Sequence, residues 1–396
     1  MYNENRLAKS PIKKIFDGSQ GEKMNKRSFI ISLVLILCAL IGWIIYVSYQ
    51  AREARSVSEV SVDWWNSAHA DASAEAFIHW NEDDPAEIPT YCAKCHSGQA
   101  FLDFLGQDGS TAMVVDNPGL INSVITCEVC HNEKADMLET VVFPSGVEIN
   151  MGYNNALCGT CHSGNGAGTR VASASEGFTD DEIIPEASFI TPHYAYAAAS
   201  VFGAEAQVGY QYDGKSYAGR FEHAEGVETC TQCHDPHSLR MRKDYGDANL
   251  CAACHSNVIG FADYRNVFVD EVDHDGDGAI EGTYHEIQGM QTILLQTIQK
   301  YASEQLGQPI GWADQFPYLF KDTNNNGEID GEEAAFSNQY DIFTPRLLRT
   351  AFNFQFSAKE PAGYVHNGDY MLQLLYDAIQ DLSQVVEADT SALVRP

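Results

Sequence analysis

Hydrophobic positions follow three different patterns along the chain. From Ser28 to Ala51 they form an apolar run with no charged residue, which predicts a helix long enough to cross about 30 Å of hydrocarbon. From about 56 to 260 they are scattered among Gly, Asn, Asp and Ser. Only short elements are predicted there: a helical approach over 56–88, a strand-like run from Glu139 to Val142, and a Tyr- and Gly-rich hairpin-like stretch from Gly209 to Gly219. A further helix is predicted from Pro192 to Ser200 with Thr191 as its N-cap, and Gly164 to Asp181 reads as a linker. Helical periodicity then returns. Ile287, Met290, Ile293, Leu294, Ile298 and Tyr301 share one face, Thr344-Pro345 starts a helix carrying Leu348, Ala351 and Phe352, and Asp369 begins a last one through Leu374, Leu375, Ala378, Ile379 and Leu382. The class is mainly α with large loop content. The middle of the chain has too few periodic apolar positions to build an ordinary core.

Cysteine spacing supplies what that middle region lacks. Ten of the eleven cysteines fall into one repeated pattern: Cys92, Cys95 and His96; Cys127, Cys130 and His131; Cys158, Cys161 and His162; Cys230, Cys233 and His234; Cys251, Cys254 and His255. Each is a C-x-x-C-H haem c attachment pattern. Its two thiols add across the vinyl groups of one porphyrin, and the adjacent imidazole ligates the iron. Zinc or redox pairs followed by chance by histidine are the competing reading, and five repetitions argue against it. Five haems, each a large apolar plate, would then form much of the core of residues 56–260.

Five irons with one histidine each call for five more ligands. Of the thirteen histidines, His69, His79, His193, His223, His237 and His366 are the candidates, so one of the six is surplus. His285 and His274 are weaker, His274 because it lies inside a calcium-type loop. The stretch from about Trp64 to His255, together with Val365-His366-Asn367, resembles the multihaem cytochrome c superfamily of electron carriers and their enzymatic relatives. The histidine supply implies electron transfer along bis-histidine haems between redox partner proteins, or from the quinol pool. Three alternatives stand beside this carrier: a quinol-oxidising subunit, a subunit of an extracellular cytochrome filament, and a reductase with one open haem. Relatives with an open haem mark it with a Lys-ended motif or a tyrosine crosslink, and all five motifs here end in histidine. Assembly with copies of itself or with other subunits is compatible with each reading.

Charge and flanks add a topology. Arg6, Lys9, Lys13, Lys14, Lys23, Lys26 and Arg27 precede the apolar run, and Arg52 and Arg55 follow it. The positive-inside rule then predicts a cytoplasmic basic tail over 1–27 and a single-pass anchor over 28–51 in a prokaryotic plasma membrane, with the haem domain periplasmic or extracellular. A cleaved signal would have a shorter apolar region and a small-residue cleavage site. The net charge of −31 excludes nucleic acid as a partner and favours cationic partners or divalent ions.

The last third carries no haem motif but two acidic loops. Asp322, Asn324, Asn326, Asp330 and Glu333, with the Glu328 carbonyl and Gly327 at position six, match the EF-hand calcium loop throughout. Asp273, Asp275, Asp277, the Ala279 carbonyl and Glu281 repeat its first nine positions, but position twelve is Tyr284 and Glu286 comes two residues late. Residues 261–343 thus read as an EF-hand-like calcium module, and 344–396 as C-terminal helices packing back on the haem domain.

Overall fold

A computed structural model of the chain describes residues 26–53, 56–224, 227–242, 251–252, 254–258 and 260–396. The chain divides into two units, Met1–Val62 and Asp63–Pro396. In the first, α1 (Lys26–Glu53) covers the apolar run. Its described side chains, 30–43, are all exposed. Among the described residues no helix is long and apolar enough to cross a membrane. That finding corrects both the expected anchor over 28–51 and the plasma-membrane topology built on it. Residues 1–25 of the basic tail lie outside the described residues.

In sequence, α2 (Val57–Trp65) spans the boundary between the units. The haem-motif region of the second unit is built from short helices: α3 (Glu75–Ile78), α4 (Thr90–His96), α5 (Gly98–Phe104), α6 (Cys127–Cys130), α7 (Tyr153–Cys161), α8 (Gly168–Ala174), α9 (Ala197–Ala206) and α10 (Cys230–Cys233). Between α6 and α7, β1 (Thr140–Val142) pairs antiparallel with β2 (Glu148–Asn150), Val141 opposite Ile149. The C-terminal part has longer elements. These are α11 (Thr283–Tyr301), the antiparallel pair β3 (Ile310–Trp312) and β4 (Leu319–Lys321), α12 (Pro345–Ala358), α13 (Gly363–His366) and α14 (Gly368–Leu382).

Helices α11, α12 and α14 pack on one another through the apolar faces that periodicity marks: Met290, Leu294 and Ile298; Leu348, Ala351 and Phe352; Leu374, Ala378 and Ile379, all fully buried. The Thr344 side chain caps α12 by accepting from Leu347 N, as its Thr-Pro start predicts. What periodicity does not predict is that α12 is buried on every side from Pro345 to Ser357. The segment expected to be a linker supplies its cover: α8 packs on α12. Gly168 permits this, because a Cβ there would lie 2.4 Å from the Tyr210 Cα. Tyr196 adds a second tie by donating from Oη to the Phe356 carbonyl at 2.6 Å.

Two local expectations are corrected. Residues 191–196 form no helix, and α9 starts only at Ala197. His193 and Ala195 adopt positive φ angles of 88° and 48°, and Thr191 Oγ1 accepts from His193 N in a tight turn instead of capping a helix. The stretch 209–219 forms no strand ladder; Tyr212 N donates to Tyr217 Oη instead. No helix enters the second acidic loop, which the chain reaches through β4.

Buried charge holds α12 in place. Asp381, 4% exposed, accepts from both Arg346 and Arg349. Arg346 also pairs with Asp181 at 2.7 Å, and Arg349 with Asp180 at 2.6 Å. Neutralising Asp381 leaves two buried guanidiniums with only the half-exposed Asp180 and Asp181 as partners, so Asp381→Asn is expected to destabilise by up to about 3–5 kcal/mol, read from chemical denaturation. Hydrogen bonds from Arg349 and Arg346 hold Asp180 and Asp181 below the ordinary carboxylate range. Their contribution is therefore present above the unfolded-state pKa of about 3.9 and is lost as pH falls through and below it. Acid titration of the melting temperature checks the sign.

Candidate functional site

A C-x-x-C-H segment wound into one helical turn places its two cysteines and its histidine on one side, at i, i+3 and i+4. The chain does this repeatedly. The amide of His131 donates to the Cys127 carbonyl at 2.9 Å, His162 to Cys158 at 3.0 Å, His234 to Cys230 at 2.8 Å and His255 to Cys251 at 2.7 Å, while Cys92, Cys95 and His96 lie within α4. The turns are also packed together. Cys95 Sγ lies 3.9 Å from the Thr160 carbonyl and Cys161 Sγ 3.9 Å from the Lys94 carbonyl. The Cys95 thiol, hydrogen-bonded to Cys161, is lowered to about 7. Cys158 hydrogen-bonds to Cys230, which lowers it, and Asn155 Oδ1 accepts from Cys230 N at 2.9 Å. The third motif thus sits between the first and the fourth.

Four of the motif histidines have the ring of a candidate histidine beside them. Ring centres lie 5.8 Å apart for His96 and His193, 6.1 Å for His131 and His237, 6.4 Å for His162 and His69, and 5.9 Å for His255 and His223. His366 lies close enough to His234 to help lower its pKa after burial, the larger cause. Two imidazole nitrogens, each about 2 Å from a metal, put their ring centres about 6 Å apart, so these separations fit one iron per pair. His79 is the candidate left over. Its ring is 62% exposed and 3.0 Å from Glu75 Oε1, and Trp80 lies against both His79 and His96.

Protonation also fits ligation, which needs a neutral ring with one free nitrogen. Nδ1 donates to the Ala76 carbonyl in His96 at 2.7 Å and to the Ala195 carbonyl in His162 at 2.8 Å. His366 Nδ1 lies 3.0 Å from Glu360 Oε1. Carbonyl and carboxylate only accept, so Nε2 is the bare nitrogen in each ring. Burial first, then the neighbouring ring, lowers His193 and His223 and takes His69 down to about 4. His274, by contrast, contacts Val394 O and Asp270 with its two nitrogens and ties the C-terminus to the first acidic loop. His285 stacks edge-on against Tyr284 and joins no pair.

The two acidic loops share one hydrogen-bond scheme. In the second, Glu333 Oε1 accepts from the amides of Thr323 (2.7 Å) and Asn324 (3.2 Å), and Oε2 from Asp330 N (3.4 Å). In the first, Glu286 Oε2 accepts from His274 N (2.8 Å) and Asp275 N (3.1 Å), and Oε1 from Glu281 N (3.1 Å). These are positions two, three and nine of each loop, so Glu286, on the first turn of α11, takes the place that Glu333 occupies despite coming two residues late. Gly278 and Gly327, at φ 93° and 85°, make the turn at position six and donate to the first aspartate of each loop at 2.9 and 2.8 Å. Carboxylate oxygens of Asp273, Asp275 and Asp277 lie within 4.8 Å of one another. Burial, with Glu286 and the other two aspartates nearby, pushes Asp275 up to about 6. Asn324, Asn326 and Asp330 are linked within the second loop.

Paired imidazoles beside paired thiols are the arrangement of a multihaem c-type cytochrome, and comparison with known proteins supports that class. The chain is 24% identical over 417 residues to the C-type polyheme cytochrome OmcB of Geobacter sulfurreducens, covering 89% of this chain and 52% of that protein. It is 24% identical over 413 residues to the C-type polyheme cytochrome OmcC of the same organism, covering 88% and 50%. The chain therefore spans about half the length of these curated relatives. No family model and no solved structure matches it. This distant homology supports haem c with iron as cofactor.

Glu286→Ala is expected to release the amides of His274, Asp275 and Glu281, at about 1–3 kcal/mol for buried groups left unsatisfied. Hydrogen exchange at those three positions, in calcium-free protein, should accelerate while exchange in α14 does not.

Proposed function

We propose that this chain is a pentahaem c-type cytochrome that carries electrons, with axial pairs His96 and His193, His131 and His237, His162 and His69, His234 and His366, and His255 and His223. The observation that carries the reading is the pairing: four motif histidines have another candidate's ring centre 5.8 to 6.4 Å away, His366 acts on the fifth, His234, and His79 is left exposed beside Glu75. Bound haem c supplies a one-electron ferric/ferrous couple. The protein's part is to close both axial positions with neutral imidazoles, to keep water from them, and to pack the motif turns together so that cofactors held by them lie close. With both positions occupied, substrate has no place on the iron, which supports a carrier over a reductase with an open haem. The contacts of motif 3 with motifs 1 and 4 support a spatial order that differs from the order along the chain.

A haem assay on the purified protein should return five haems per chain, all low-spin. Alanine substitution of His69, His193, His223, His237 or His366 should each make one haem high-spin, whereas His79→Ala should change none. Four or fewer haems, or a high-spin signal in His79→Ala alone, would overturn the reading.

Calcium belongs to the same proposal as a structural ion in both acidic loops, with Glu333 and Glu286 as the closing carboxylates. Supporting this, α11 links the loops: Glu286 lies in its first turn, and Gln299 near its end donates to the Gly327 carbonyl at 2.7 Å. The same helix packs on α13, which ends in His366, and on α14, which follows it. Calcium bound only by the folded form adds about 2.7 kcal/mol at a hundredfold excess over Kd. Chelation is therefore expected to lower the melting temperature of the C-terminal helices and to give high-spin character at about one haem, the one His366 serves. Glu286→Gln should reduce bound calcium by one ion per chain, read by metal analysis after dialysis.

A further inference from the structure

Three motif histidines give Nδ1–H to a neutral acceptor: His96 to Ala76 O, His162 to Ala195 O and, at a longer 3.4 Å, His234 to Leu239 O. The ring opposite His234 differs. His366 Nδ1 lies 3.0 Å from Oε1 of Glu360, a residue only 4% exposed. Its other oxygen, Oε2, is buried and has no hydrogen-bond partner. The neighbouring Lys359 does not neutralise it, because that ammonium pairs with Asp314 and lies over the rings of Tyr194, Trp312 and Tyr318. Among the described residues, the ion-pair partner found for this carboxylate is His366.

The backbone keeps the two groups in register. Glu360 follows the last turn of α12, and its carbonyl accepts from Gly363 N at 2.9 Å. The chain then turns into α13, where His366 N donates to the Ala362 carbonyl at 2.9 Å. Asn367 fixes the far side by accepting from Tyr370 N and donating to the Gly219 carbonyl.

A hydrogen bond from the far nitrogen of a ligating histidine to a carboxylate fixes the ring's tautomer and orientation and makes it a stronger donor. A buried negative charge beside it favours the more positive oxidation state of the metal, because attraction is poorly screened there. We propose that Glu360 is a positioning residue for the iron bound between His234 and His366: it orients His366 and its charge biases that iron toward the ferric state. The proposal rests on the reading of His234 and His366 as an axial pair. It gives this haem a potential lowered by a buried charge of the protein, in contrast to the irons that His96 and His162, bonded to carbonyls, would hold.

The test uses the full-length, haem-loaded protein and Glu360→Gln, which keeps size and an acceptor oxygen but removes the charge. Haem content and low-spin spectra are expected to stay as in the wild type. In a spectroelectrochemical titration one transition should move positive by about tenfold in its oxidised-to-reduced ratio, about 59 mV for one electron. Glu360→Asp, which keeps the charge, should stay closer to the wild type. Equal shifts in Gln and Asp variants would make the effect one of packing and overturn the proposal, as would no shift in Glu360→Gln while His366→Ala alters one haem. If His366→Ala alters none, the axial pairing itself fails, which distinguishes the two failures.

Discussion

If two imidazoles are to hold one iron, as proposed, each pair must meet across the width of a metal ion, and the rest of the haem-motif region fits that requirement. A motif histidine is placed by its own helical turn, but its partner comes from elsewhere. His69 stands 93 residues before His162 and His193 stands 97 residues after His96, so loops have to bring them back. This explains why backbone that reads as helical at Thr191 to Ser200 instead turns through positive φ at His193 and Ala195. It also explains why regular elements are short there. With helices such as α6 and α10 only one turn long, stability has to come from what the rings and thiols hold.

The C-terminal part works by ordinary packing and gives that region a rigid neighbour. α12 is enclosed by α8, α11 and α14, and the arginines on it are neutralised by aspartates from two separate segments. Tyr196, the last residue of the loop that carries His193 into α9, is anchored to the end of α12. His366 is held between α12 and α14. A change in the acidic loops linked by α11 would therefore reach the proposed ligand through packed helices and not through a flexible tether.

What sequence could reveal divides along local and non-local lines. The five motifs, the faces of α11 and α14 and the start of α12 were legible because each depends on residues within one or two turns. The choice among six histidines was not, since it depends on which rings the fold brings together; His79 differs from His69 only in ending exposed beside Glu75. Glu286 was visible as a late acid, but only the amides of His274, Asp275 and Glu281 give it its place. Glu360 carried no signal, because an acid six residues before a histidine is ordinary until both are buried. The Gly164 to Asp181 segment looked like a linker because α8 is short and rich in small residues, the property that lets it lie against Tyr210 and α12. The apolar run did form a helix, yet among the described residues no helix is long and apolar enough to cross a membrane.

The central claim is that every iron in this protein lies between two imidazoles. Near-infrared magnetic circular dichroism of the oxidised, fully loaded protein tests it most directly, because the energy of the charge-transfer band reports the axial ligand pair. The account predicts bands of the bis-imidazole type alone, with an intensity accounting for every haem. A band from an imidazole–water or imidazole–methionine pair would contradict it.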